Sequence, residues 1–288
     1  MDLEGRTISI DGRRLGYAEF GDPQGRPVVY FHGIPGSRVE AAAVDSEARQ
    51  RNLRVIAIDR PGIGLSEFQP DRRLVDWPST ITSFADQLGL DKFALVGVSG
   101  GGPYVLACAL AMPQRLTNAG ICCGVPCADW LDKAPGEGVV DYLKQLLAAP
   151  RWQQAALWNM LKMTFGVPGG MKILNLPRQA LPEVDRRVLS DPQMRVIFDR
   201  NVQEAFKGPS DGLLHELHVL THPWGFDPTD IKIPLRFWYG ELDRIVPWEI
   251  ARVEAGRIAT AKVECVAGLG HFSLVLNHID EILDYLKA

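Results

Sequence analysis

Eight short, apolar, β-branched runs recur along the chain, at residues 7–10, 15–20, 28–31, 53–58, 93–97, 119–123, 235–239 and 263–266. Runs of this length and composition are strand signals. Asp11-Gly12 between the first two favours an antiparallel hairpin turn. From the third run onward the strands alternate with helical stretches at 38–51, 80–89, 101–111, 248–258 and 278–287. That alternation predicts an α/β fold, an eight-stranded, mostly parallel sheet whose strands are apolar throughout because helices cover both faces. With 288 residues, 46% of them hydrophobic, the chain is long enough to bury such a core.

The alternation stops between 125 and 230. This stretch reads as helical at 139–148, 152–164, 191–205 and 213–220, is punctuated by prolines and glycines from Pro150 to Pro209, and holds Trp130, Trp152, Trp158 and Trp224. The expected organisation is a core of residues 1–124 and 231–288 with a helical insertion at 125–230. A net charge of -4 with scattered Lys and Arg offers no basic stripe for a phosphate backbone, so a nucleic-acid partner is not expected. The charged opening Met1-Asp2-Leu3-Glu4-Gly5-Arg6 and the lack of any eighteen-residue apolar run point to a soluble, cytoplasmic protein without a membrane partner. Cys108, Cys122, Cys123, Cys127 and Cys265 form no CxxC pair and no zinc-finger spacing with histidine, and are read as buried thiols.

The fifth strand runs into Gly97-Val98-Ser99-Gly100-Gly101, followed by a helix of small residues. Glycine costs backbone entropy on folding, so its concentration around one serine needs a reason. The G-x-S-x-G nucleophile elbow supplies one: the turn is so sharp that little beyond hydrogen fits at the flanking positions, and the hydroxyl stands clear of the sheet at a helix N-terminus. In a chain with 28 glycines the bare pattern is weak, and its partners decide its meaning.

A serine hydroxyl needs a base to take its proton and a third group to orient that base. Of six histidines, His271, in the glycine-flanked loop Gly268-Leu269-Gly270-His271-Phe272 after the eighth strand, lies on the carboxyl edge that Ser99 shares. His278 opens the last helix, where capping is the plainer role, and His215, His218 and His222 belong to the insertion and lack an evident third ligand for a metal. Asp243, after the seventh strand, completes the chain order serine, acid, histidine, with Asp129 after the sixth strand as the competing acid and Glu241 as its neighbour. His32-Gly33-Ile34-Pro35-Gly36 follows the third strand, where a tight turn presents the Ile34 N–H beside that of Gly100 as an oxyanion hole. His32 and Gly33 are expected to brace that turn.

These residues, together with the turn Asp59-Arg60-Pro61-Gly62-Ile63-Gly64-Leu65-Ser66 after the fourth strand, resemble the α/β-hydrolase superfamily over nearly the whole chain. The resemblance implies a helical cap at 125–230 over the site and a structural, non-catalytic role for the Asp59 turn. It also implies acyl transfer through Ser99, His271 and Asp243 on a small-molecule substrate, with no metal, nucleotide or redox cofactor required. A carboxylic ester or lactone with an apolar or aromatic group is the first expectation. Carbon–carbon bond hydrolases of ring-fission diketones, cofactor-free haloperoxidases and proline iminopeptidases use the same triad. The last resemble HGGPG and GGSWG, against which this chain has Ile34 and Gly100 at the differing positions. A non-catalytic small-molecule receptor is the alternative of another class. Oligomeric state is not legible.

Overall fold

The computed structural model describes residues 3–127, 148–167 and 181–288. Asp129, Trp130, most of the helix expected at 139–148 and the turn signals at 168–177 lie outside them. The eight strands are β1 (Arg6–Ile10), β2 (Arg13–Gly21), β3 (Arg26–Phe31), β4 (Leu53–Ile58), β5 (Phe93–Val98), β6 (Leu116–Cys122), β7 (Leu235–Gly240) and β8 (Ala261–Val266). They form one sheet in the order β1-β2-β4-β3-β5-β6-β7-β8. The pairings β1 with β2 and β2 with β4 are antiparallel, and all others are parallel.

Alternation along the central strands divides the core. Val29 and Phe31 of β3, Leu95 of β5 and Phe237 and Tyr239 of β7 face one layer, with α2 (Trp77–Gln87), α3 (Gly102–Ala111) and both ends of α8 (Trp248–Ala255). Val28 and Tyr30, Val96 and Val98, and Trp238 face the other, with α1 (Asp45–Gln50), α9 (His271–Asn277) and α10 (Ile279–Lys287). Burial on both sides explains why these strands read as continuous apolar runs. Helix α9 differs from expectation: residues 271–277 form a separate helix, which places His271 at a helix start and not within a loop.

The described part of the stretch between β6 and β7, called the insertion below, is helical: α4 (Arg151–Phe165), α5 (Glu183–Ser190), α6 (Pro192–Ala205) and α7 (Ser210–Thr221). Trp158 stacks on Phe206 with ring centroids 4.8 Å apart, and Ile63, Val202 and Leu213 share that cluster. Buried polar links tie it to the sheet, beside the apolar contacts of Ile197, Val219 and Leu220. Arg38 pairs with Asp59 at 2.8 Å and with Glu204 of α6 at 2.9 Å. Asn201 accepts the N–H of Ser37 at 2.7 Å. Glu216 of α7 pairs with Arg60 at 2.6 Å, with Arg72, and with the Tyr104 hydroxyl at 2.9 Å. Burial alone would raise the Glu216 pKa, but the guanidiniums of Arg60 and Arg72 overcome it and hold the carboxyl below its ordinary value. Among the described residues no helix is long and apolar enough to cross a membrane.

One buried acid titrates in a useful range. Glu254 of α8 accepts the backbone N–H of Cys127, where the chain leaves the sheet for the insertion. Burial pushes it from 4.5 to about 8, against the pull of the Cys127 N–H and of Arg257. Between those values the folded chain keeps a proton that the unfolded chain releases, so the stability it contributes is full below about pH 4.5 and falls until about pH 8. Glu254→Gln removes this dependence and still offers an acceptor to Cys127. Denaturant unfolding is expected to show the wild type losing a few kcal/mol relative to the variant, on the order of 1.4 kcal/mol per pH unit between the two values. Parallel curves for the two proteins would contradict it.

Candidate active site

The rim is set by register. Phe31 pairs with Gly97, Val98 with Cys122, and Cys122 with Trp238, so the residues that follow β3, β5, β6 and β7 emerge side by side. Ser99 follows β5 with a left-handed φ of +52°, a conformation that costs a residue with a Cβ about 1–2 kcal/mol. The flanking glycines make that turn possible. A Cβ on Gly97 would lie 2.5 Å from the Gly101 carbonyl oxygen, and one on Gly101 would lie 2.8 Å from the Phe31 carbonyl carbon.

The loop after β3 lies against this elbow. A Cβ on Gly100 would meet Ile34 Cγ2 at 2.9 Å and Leu220 of α7 at 3.1 Å, so the Ile34 turn and the insertion both reach the residue after Ser99. The turn passes through a cis Ile34–Pro35 peptide. Its bracing is dense. His32 Nδ1 donates to the Gly33 carbonyl at 2.8 Å, and Nε2 accepts the Arg60 N–H at 3.3 Å. The Arg60 guanidinium donates to the carbonyls of His32 and Gly33. Burial and the Arg60 charge hold the His32 pKa well below the ordinary histidine value, which keeps the ring neutral. The Gly33 N–H is engaged by Glu40 at 3.0 Å, and the Ile34 side chain lies against Gly100.

Across the rim, His271 Nδ1 lies 2.7 Å from Asp243 Oδ2. Asp243 follows β7, and its other oxygen accepts the N–H groups of Ile245 and Val246 at 2.8 and 2.9 Å, a turn that aims the carboxylate at the imidazole. Ser99, Asp243 and His271 are all buried. Burial disfavours the imidazolium, but the Asp243 charge and hydrogen bond, with Asp185 and Glu40 behind them, more than offset this and raise the His271 pKa. Asp59 sits elsewhere: it accepts the Arg38 and Leu65 N–H groups at 2.7 and 2.9 Å and shapes its own turn. His278 lies 2.9 Å from Glu281, and His215 is tied to the Arg72 carbonyl at 2.9 Å.

Three neighbours of the site escaped the sequence reading. Glu40 accepts from the Tyr30 hydroxyl at 2.9 Å as well as from Gly33, and both its Oε2 and the Ser99 Cβ come within 3.5 Å of where a Gly33 Cβ would stand. Burial raises its pKa, partly offset by those donors. Cys123, at the end of β6 with a φ of +50°, donates its thiol to the His271 carbonyl at 3.6 Å and lies beside Asp243. Burial, reinforced by the Asp243 charge, keeps that thiol protonated. Asp185 of α5 accepts the backbone N–H of His271 at 2.9 Å. No local pattern marks any of the three.

The chain also resembles known proteins. Residues 26–277 match the family model described as alpha/beta hydrolase fold. A pimeloyl-[acyl-carrier protein] methyl ester esterase of Legionella pneumophila (strain Lens) is 35% identical over 235 residues, 78% of each chain. A putative non-heme haloperoxidase of Mycobacterium phage D29 is 25% identical over 268 residues, 93% of this chain and 88% of that one. The solved structure of an esterase from Exiguobacterium antarcticum superposes with a TM-score of 0.72 at 20% identity, covering 99% of this chain and 100% of the other. Sheet order, strand-to-helix elbow and the family match agree, and the chain belongs to the α/β hydrolase family.

Proposed function

We propose that the chain is a serine hydrolase that cleaves a carboxylic ester or lactone bearing an apolar or aromatic group. Ser99 Oγ attacks the carbonyl carbon while His271 Nε2 takes its proton, and Asp243 holds the imidazole through Nδ1. The Ile34 and Gly100 amides receive the developing oxyanion. The carbon–oxygen bond of the leaving alcohol then breaks, and the proton passes from His271 to that oxygen. Water, deprotonated by the same histidine, releases the acid from Ser99. The observation that carries this reading is the 2.7 Å imidazole–carboxylate pair on the rim where the strained Ser99 elbow and the Ile34 turn meet. The approach of Leu220 to Gly100 supports reading the insertion as a cap over the acyl group. An ester-cleaving relative and an esterase of the same fold support the substrate class.

A fluorophosphonate probe is expected to label the wild type at Ser99, and Ser99→Ala to lose both labelling and turnover with an unchanged circular dichroism spectrum. Absence of labelling in the wild type would favour a binding protein. A panel of p-nitrophenyl esters, a lactone, a ring-fission diketone and a proline amide sorts the bond type, with the esters or the lactone expected to turn over fastest.

Asp243→Asn is expected to lower kcat on the order of 10⁴-fold, because the imidazole loses its oriented tautomer. The acid limb of kcat/KM reports the His271 imidazolium, whose pKa the carboxylates raise, so it is expected above the ordinary histidine value of about 6.5. Activity is then lost as pH falls through that limb. An acid limb below 6.5 would assign the base elsewhere.

A further inference from the structure

The helix that carries His271 has no side chain at its N-cap position. Gly270 occupies its N-cap position, where Ser, Thr, Asp or Asn ordinarily accepts an N–H of the first turn. The acceptor comes instead from Asp185, 86 positions from His271 in the chain. Its Oδ2 accepts the His271 N–H at 2.9 Å, and its Oδ1 accepts the Ser273 N–H at 2.8 Å and hydroxyl at 2.6 Å. Ser273 Oγ in turn accepts the Gly270 N–H at 2.8 Å. A Cβ on Gly270 would stand 2.6 Å from Pro182 and 2.7 Å from the Asp185 carboxyl carbon, so the missing side chain is what leaves room for the carboxylate. Asp185 is fully buried, and a buried carboxylate is tolerated only where several donors meet it.

We propose that Asp185 is a positioning residue, which holds His271 in reach of Asp243 and Ser99 by clamping the first turn of its helix from the inserted segment. The atom it clamps is the root of the imidazole itself, the His271 backbone nitrogen. A second contact runs alongside, Phe198 of α6 meeting Phe272 edge to face at 5.7 Å, so two insertion helices grip the same turn. Among the described residues, Asp243 after β7 and Cys123 after β6 lie beside the ring, and the charges of Asp185 from α5 and Glu40 after β3 act on it. Asp185 therefore acts on the histidine twice, through its backbone and through its charge.

The proposal rests on the hydrolase reading for what His271 does, and the test separates the two. Asp185→Asn keeps the volume but loses the charge and one acceptor, leaving either the His271 N–H or the Ser273 donors facing an NH2 group. Its kcat/KM on the best ester is expected to fall about 10- to 100-fold, mostly in kcat, as for a misplaced catalytic group. The acid limb is expected to move to lower pH, and Asp185→Glu to recover part of the rate. A variant that is folded, within twofold of wild-type kcat/KM and unmoved in its acid limb overturns the proposal. Should Asp185→Asn fail to fold, Gly270→Ala pushes the same carboxylate aside at ordinary backbone angles and is read the same way. Should the wild type neither label nor turn over, the hydrolase reading falls. The His271 imidazole titration, followed by nitrogen NMR in both proteins, then decides for Asp185 if the curve moves to lower pH in the variant and against it if the two coincide.

Discussion

Parallel strands deliver the residue that follows each of them to the same edge, and here five strand ends share one rim. The pairings Phe31 with Gly97, Val98 with Cys122, Cys122 with Trp238 and Gly240 with Val266 bring together the ends of β3, β5, β6, β7 and β8. Ile34, Ser99, Cys123, Asp243 and His271 each descend from a different one of these strands. A one-residue slip would exchange the faces of every side chain on the slipped strand, and burial on both sides of the sheet opposes that slip. The chain turns one way from β3 to β4 and the other way to β5, and such a reversal opens the crevice in which α/β sheets bind their ligands. Ser99 and the Ile34 turn flank that crevice.

The insertion is held to this rim by charge as much as by apolar packing. Asp185, Glu204 and Glu216 are all buried, and each reaches a cation or amide of the sheet domain: the His271 and Ser273 amides, Arg38, and the Arg60–Arg72 pair. Such contacts are poor sources of net stability because both partners give up water, yet removing one partner leaves the other stranded at a cost of about 3–5 kcal/mol. They therefore act as register pins. An apolar cap could slide on an apolar rim, whereas a carboxylate has one place in which its donors are all met. Arg60 joins the two segments: it pairs with Glu216 of the insertion and donates to the His32 and Gly33 carbonyls at the start of the Ile34 turn.

Much of this was legible in the chain. Every strand run overlaps an observed strand, and in the central strands burial on both faces leaves no polar period to confuse the reading. The glycines around Ser99 were legible for a similar reason, since only a close backbone approach accounts for them. Helix α9 was not. Its start carries glycine where a capping side chain is the usual signal, and the substitute, Asp185, comes from another element. Glu40 was hidden for the same cause, as its partners Tyr30 and Gly33 lie across a turn that sequence spacing does not describe. Local chemistry announces itself in a sequence, while a carboxylate that completes a distant helix does so only after folding.

Two buried histidines at this rim separate by environment. His32 has Arg60 against it, so burial and charge act in the same direction and the ring stays neutral, with one nitrogen donating and the other accepting within the turn. His271 is as deeply placed but faces Asp243, Asp185 and Glu40, and these carboxylates reverse the effect of burial. A base for acyl transfer must be neutral before the reaction and cationic at its transition state, so only the second environment suits it. The same carboxylates that stabilise that cation also raise the pH at which the resting ring becomes neutral. Environments that push two like groups apart in this way suit them to different roles: in the proposed mechanism His32 belongs to the scaffold of the Ile34 turn, and His271 to the proton.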